Sequence, residues 1–175
     1  DIPLRNPFLR IKKVWLEPKR KGRINPEARA AILKADIIAI GPGDLYSTLM
    51  PSLLMKGMPE AIKKSKAKKF YICNAMTKLG ETTTFTVSDF INEIEKYLGK
   101  NILNFALYNQ RIPSRERIKE YQKEAPFVFD YVKFSRQKLS KIKKPKIIGA
   151  DLLTSPTGSI IHDPDVLAKI ILSLV

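Results

Sequence analysis

The chain reads as an α/β protein with a mainly parallel sheet, and three observations carry that expectation. Short apolar, β-rich runs recur along it, and patterned helical segments separate them. One run, Ile37–Ile40, feeds directly into Gly41-Pro42-Gly43 and a helix start at Asp44. Strands that alternate with helices imply right-handed βαβ crossovers and a sheet covered on both faces. A length of 175 residues with 44% hydrophobic residues suits one domain with a sizeable core.

Taken in order, Ile11–Leu16 is the first strand expected, and Pro26-Glu27 opens a helix to about Lys34, with proline suited to the first turn. Ile37–Ile40 is the second strand. Asp44 to Lys66 reads as two helical pieces parted near Lys56-Gly57, the second starting at Met58-Pro59-Glu60. Phe70–Asn74 is a third strand. Ser88 as N-cap, Asp89 in the first turn and the stripe Ile91, Ile94, Leu98 mark a helix that Gly99 ends. Ile102–Leu107 and Lys146–Gly149 are the fourth and fifth strands, and Asp163-Pro164-Asp165 opens a final helix. Residues 111–143 break the alternation. They are charged, contain Pro113 and Pro126, and carry Phe127, Phe129, Tyr131 and Phe134, which predicts an insertion or extension beside the sheet.

The net charge of +15 comes from three basic clusters, Lys12–Arg23, Lys63–Lys69 and Lys133–Lys146. Such a field attracts nucleic acid or phosphorylated ligands. Lysine outnumbers arginine, however, and aromatic residues are sparse within the runs, so a solvated surface is the favoured reading and nucleic acid is not expected as a partner. No apolar run approaches the roughly 20 residues that span a bilayer, so no membrane partner is expected. Cys73 stands alone in an apolar run, which excludes an internal disulfide and fits a reducing cytoplasm. One His and one Cys exclude a Cys/His metal cluster. Neither a Gly-x-Ser-x-Gly elbow nor a P-loop pattern is present.

Gly41-Pro42-Gly43 admits two readings. A strand feeding a glycine turn and a helix N-terminus makes an anion site, since glycine lets the backbone approach and free N–H groups favour phosphate. The alternative is a plain turn in which Asp44 caps its own helix. Tyr46, Ser47 and Thr48 are further polar candidates, or ordinary first-turn packing. Asn74, leaving the third strand at its carboxyl end, can donate and accept at once, which suits a base edge or a ribose. Met76 and Thr77 follow it, and Glu81 and Thr82 are placed on a polar loop able to close over a ligand. His162 is the chain's only imidazole and Asp163 is well placed as the last helix's N-cap.

The segment GPGDLYSTLMPSLL (residues 41–54) resembles the signature of the gluconeogenesis-factor (YvcK-like) proteins, which share a superfamily with 2-phospho-L-lactate transferase (CofD-like). Tyr71–Thr77 continuing to Gly80-Glu81-Thr82, and Ile161-His162-Asp163, fit the same family. The resemblance implies a Rossmann-like three-layer sandwich, here its C-terminal part, because the glycine-rich first loop of such proteins is not in this sequence. It also implies a nucleotide or nucleotide-sugar ligand, of the UDP-sugar kind in the gluconeogenesis-factor branch, with links to carbon metabolism, cell wall and cell shape. The partners expected are that ligand and a second copy of the chain. The resemblance fixes no cofactor, and Mg2+ enters only if the chain is a transferase. Three departures from the family pattern stand out: Asp44 where Ser is frequent, Lys78 where Gln is common, and Ile161 in the place of an Arg that would hold a diphosphate.

Overall fold

The computed structural model describes residues 6–17, 22–154 and 158–175. Four strands form one parallel sheet in the order β1-β2-β4-β6: β1 (Ile37–Ile40), β2 (Lys68–Ile72), β4 (Phe105–Asn109) and β6 (Lys146–Ala150). A second, antiparallel pair joins β3 (Met76–Lys78) to β5 (Val128–Tyr131). Seven helices complete the described elements: α1 (Pro26–Lys34), α2 (Met50–Leu53), α3 (Met58–Lys64), α4 (Val87–Leu98), α5 (Arg115–Glu124), α6 (Arg136–Leu139) and α7 (Pro164–Leu172). A π-helical turn, Leu45–Leu49, leads into α2.

Side-chain alternation divides the sheet between two layers. Ile40, Tyr71, Cys73, Ala106 and Tyr108 meet Ile62 of α3, Phe90, Ile91, Ile94 and Leu98 of α4, and Leu139 of α6. Phe70, Ile72 and Leu107 face the other way and meet Leu167 of α7. Because the strands succeed one another in chain order, right-handed crossovers put α3, α4 and α6 on the same face, leaving α7 to cover the other. The result is an α/β fold of three layers, as the sequence predicts.

Several boundaries move. Ile11–Leu16 is not a strand: Ile11 and Val14 pack on the main core, the Val14 N–H donates to the Tyr97 hydroxyl at 3.1 Å, and Lys96 Nζ donates to the Lys12 carbonyl at 2.7 Å. The segment is tied to α4 by side chains instead of by a neighbouring strand. The third strand begins two residues early because Lys68 pairs with Ile37, and it ends at Ile72. The fourth runs from Phe105 to Asn109, since the Asn104 side chain accepts the Lys69 N–H at 2.9 Å and breaks the regular pattern before it. Ser88 does not cap α4. Thr86 does, with its N–H and hydroxyl both donating to the Asp89 carboxylate at 2.9 and 2.6 Å, a capping box at the Thr-x-x-acid spacing. Residues 111–143 form the β4-to-β6 connection and contain α5, β5 and α6.

Candidate functional site

A cavity of about 330 Å3 opens where β1 and β2 end, the end of a parallel sheet at which ligands bind. Pro42, Gly43 and Asp44 form one wall and Asn74 to Lys78 another. Tyr121 comes from α5, Phe127 from the turn before β5, Val128 from β5, and Ile160 to His162 from the loop before α7. Gly41 sets the first wall: its φ is +88°, and a Cβ there would lie 2.8 Å from the Ile72 carbonyl oxygen. Only glycine fits this approach of the turn to β2. On the far side, the buried Arg117 of α5 donates from Nε to the Gly158 carbonyl at 3.2 Å and from Nη2 to the Ser159 carbonyl at 2.9 Å. That guanidinium fixes α5 against the loop carrying His162.

The polar interior has two sorts of group. Asn74 Oδ1 and His162 Nε2 are buried and have no hydrogen-bond partner among the described residues. Burial pushes the His162 imidazole down to about 4, so the ring is neutral at physiological pH and Nε2 is free to donate or accept according to tautomer. The second sort is a charge network. Lys78 Nζ lies 2.7 Å from Asp44 Oδ2 and 2.8 Å from Glu81 Oε1, and the Ser47 hydroxyl donates to Glu81 Oε1 at 3.1 Å. Burial works against the Lys78 charge, but the hydrogen bonds to Asp44 and Glu81 outweigh it and hold the ammonium above its usual value. The Phe127 ring centroid lies 5.6 Å from the same nitrogen. Lys78 is thus engaged by two carboxylates, which leaves little positive field for a phosphate at this wall.

The sequence-predicted residues divide accordingly. Pro42, Gly43, Asp44, Asn74, Met76, Thr77 and His162 line the cavity. Gly41 shapes the turn behind them, and Ser47 reaches the site through Glu81. Asp44 occupies the N-cap position without a side-chain capping bond: its carboxylate takes Lys78 instead. Tyr46 is a core residue, packed edge-on against Phe85 at 6.3 Å, and burial followed by the neighbouring Glu93 pushes its phenol up. Thr48 is exposed, with its methyl beside Gly43. The polar loop expected from Thr77 to Thr82 is instead strand β3 and a buried turn. The Thr77 hydroxyl donates to the Asp130 carbonyl at 3.0 Å, and the Thr82 hydroxyl accepts the Lys78 N–H at 2.9 Å. Glu81 is 3% exposed, with Oε2 unpartnered.

Sequence reasoning missed Tyr121, Phe127, Val128 and Ile160 as lining residues. The alternation Phe127, Phe129, Tyr131 at a period of two was the available signal for β5. Asp163 behaves as the sequence predicts: its Oδ1 accepts the N–H groups of Asp165 and Val166, both at 3.0 Å.

A relative from Thermotoga maritima is 40% identical over 148 residues, covering 83% of this chain and 46% of its own length. The gluconeogenesis factor of Bacillus subtilis is 32% identical over 167 residues, covering 94% of this chain and 50% of itself. A crystal structure of a protein member of the UPF0052 family from Bacillus halodurans superposes with a TM-score of 0.83 at 34% identity, covering 93% of this chain and 51% of that one. The chain therefore spans about half the length of these relatives. Its residues 4–151 match the profile of 2-phospho-L-lactate transferase CofD, and the chain belongs to that family.

Proposed function

We propose that the chain binds a nucleotide sugar of the UDP-sugar type in the cavity between Asn74 and His162, and serves as a cytoplasmic regulator of the gluconeogenesis-factor type, linked to carbon metabolism, cell wall and cell shape. The observation that supports this most is that Asn74 and His162 both line one cavity and each carries a buried polar atom, Oδ1 and Nε2, with no partner among the described residues. An unsatisfied buried polar atom costs roughly 1–3 kcal/mol, and a ligand bearing hydroxyl or imide groups at that spot removes the cost from both. Tyr121 and Phe127 offer apolar faces to a flat ring. The walls are mostly neutral and Lys78 is already paired, which suits the sugar or base end of such a ligand better than its phosphates.

Titration calorimetry with UDP-N-acetylglucosamine tests the reading. Saturable heat is expected, and Asn74→Ala or His162→Ala should each weaken binding about ten-fold, the scale of one lost buried hydrogen bond, with little change in Tm. No heat at millimolar ligand would count decisively against it. A second reading, favoured by the description of the matching family, is transfer of a phospholactyl group from a nucleotide diphosphate to a deazaflavin precursor. Product formed from those two substrates with Mg2+ would establish it.

A further inference from the structure

The outer edge of β6 is lined by residues distinct from those of the cavity just described. The Lys146 N–H donates to the Asn104 carbonyl and the Gln110 N–H to the Ala150 carbonyl, both on the β4 side. In a parallel ladder alternate residues face the same neighbour, so Lys146, Ile148 and Ala150 serve β4. Ile147 and Gly149 turn their N–H and C=O groups outward. Beyond β6 there is no further strand among the described residues, and neither of those N–H groups has a partner there.

A groove of about 440 Å3 lies along this edge. Its floor is apolar, made by Tyr108, Leu139, Ile142 and Ile147, and its rim carries Arg136, Lys143 and Lys146. No carboxylate lines it, and no ion pair engages these three cations among the described residues. Gly149 leaves room for the Gln110 and Tyr108 side chains to lie across the strand: a Cβ there would stand 2.2 Å from the Gln110 side-chain nitrogen and 2.6 Å from the Tyr108 ring.

An open strand edge is a template for pairing with an added strand, and side-chain pockets beside it supply selectivity. A second copy of the chain is a poor occupant, because it would bring the Lys143, Lys144 and Lys146 cluster against its own image. Nucleic acid would satisfy the cations but not the outward backbone groups or the apolar floor. We infer that the β6 edge docks an extended acidic peptide segment, which adds a strand against Ile147 and Gly149, sets one apolar side chain over Ile142 and Leu139, and places carboxylates beside Arg136, Lys143 and Lys146.

The probe is a labelled ten-residue peptide alternating Glu with Val, titrated into the intact chain by fluorescence anisotropy at low salt. Saturable binding is expected, together with slowed hydrogen exchange at the Ile147 and Gly149 amides. The same peptide N-methylated at alternate residues keeps its charge but loses strand pairing, and it should bind about ten-fold more weakly or worse, as expected for main-chain pairing. Arg136→Glu/Lys143→Glu/Lys146→Glu, three exposed substitutions, should abolish binding while leaving the circular dichroism spectrum unchanged. Three results would overturn the inference: no saturation at 1 mM peptide, on the order of the weakest measurable affinities; equal binding of the N-methylated peptide; or binding of a ten-nucleotide oligo-dT in place of the peptide.

Discussion

Asp44 and Asp163 stand in the same local setting and do different things. Each precedes a helical segment in extended conformation, with φ/ψ of −56°/126° for Asp44 and −74°/117° for Asp163. Asp163 turns its carboxylate inward and caps two N–H groups of α7. Both backbone carbonyls accept ordinary helical N–H bonds, Asp163 from Leu167 at 3.0 Å and Asp44 from Thr48 and Leu49 at 3.0 and 2.9 Å, but the Asp44 side chain caps no N–H and its carboxylate meets Lys78. The distinction lies in what the tertiary fold delivers. The ammonium from β3, held also by the buried Glu81, is a stronger partner for a carboxylate than amide dipoles are. A cap is a local device, and it gives way when a buried charge needs balancing.

The sharpest way to break this contrast is to remove the ammonium. Lys78→Met leaves the Glu81 carboxylate buried without a counter-charge, and should cost about 3 kcal/mol, a fall in Tm of roughly 6–12 °C by differential scanning calorimetry. The double variant Lys78→Met/Glu81→Gln should recover more than half of that loss. If it recovers nothing, Lys78 stabilises through packing and not through charge.

A pH scan addresses the Asp163 region next. The folded His162 pKa lies at about 4, below the unfolded value near 6.5. The unfolded state therefore takes up the proton first, so this contribution is complete above pH 6.5 and is lost as pH falls toward 4. Discounted for the ring's partial exposure, the loss is on the order of 2 kcal/mol, and His162→Ala should flatten it in urea melts at stepped pH. Lys78 has the opposite dependence. Its raised pKa gives stability that is present below its unfolded value and lost as pH rises through the folded one. The acid limb and the alkaline limb thus report the two regions separately.

Asp163→Ala should cost about 1 kcal/mol through the lost cap, and Asp163→Asn only a few tenths, since Asn caps nearly as well. Asp44→Ala should have a small effect on stability, under about 1 kcal/mol, because its pair with Lys78 is partly solvated on both sides. Its effect on binding is the larger one. Freeing Lys78 from one of its two carboxylates should raise affinity for inorganic pyrophosphate, measured by calorimetry. A drop in affinity would show that Asp44 contacts the ligand itself.

The same contrast explains what was legible in the chain. Elements set by local pattern were readable: β1 from an apolar run, α4 from its stripe, α7 from Asp163-Pro164, and the glycine turn at Gly41. The α5 helix was not, because its buried face uses Arg117 beside Ile118, and a charged residue at a core position erases the apolar period. The β3 strand was hidden because it has three residues and pairs with β5, more than 50 positions away. Of the residues the sequence names as ligand-binding, seven line the cavity: six follow β1 and β2, and the seventh is His162. The part donated by α5 and β5 depends on a crossover path that composition does not encode. Lys78 was noticed as a departure from the family pattern, but its two carboxylate partners came from 34 residues before it and three after.

The strand order β1-β2-β4-β6 carries a consequence for synthesis. Each strand of the main sheet pairs with the one made immediately before it in that sheet, always on the same advancing side. A chain emerging from the ribosome amino-terminus first, at roughly 5–20 residues per second, therefore finds each docking edge already in place when the next strand appears. Among the described strands of this sheet, none is inserted between two others, and none waits for a later one to separate it from its neighbour. The strand order of these four described strands thus permits assembly in the direction of synthesis, each new strand adding at the β6 side of the sheet.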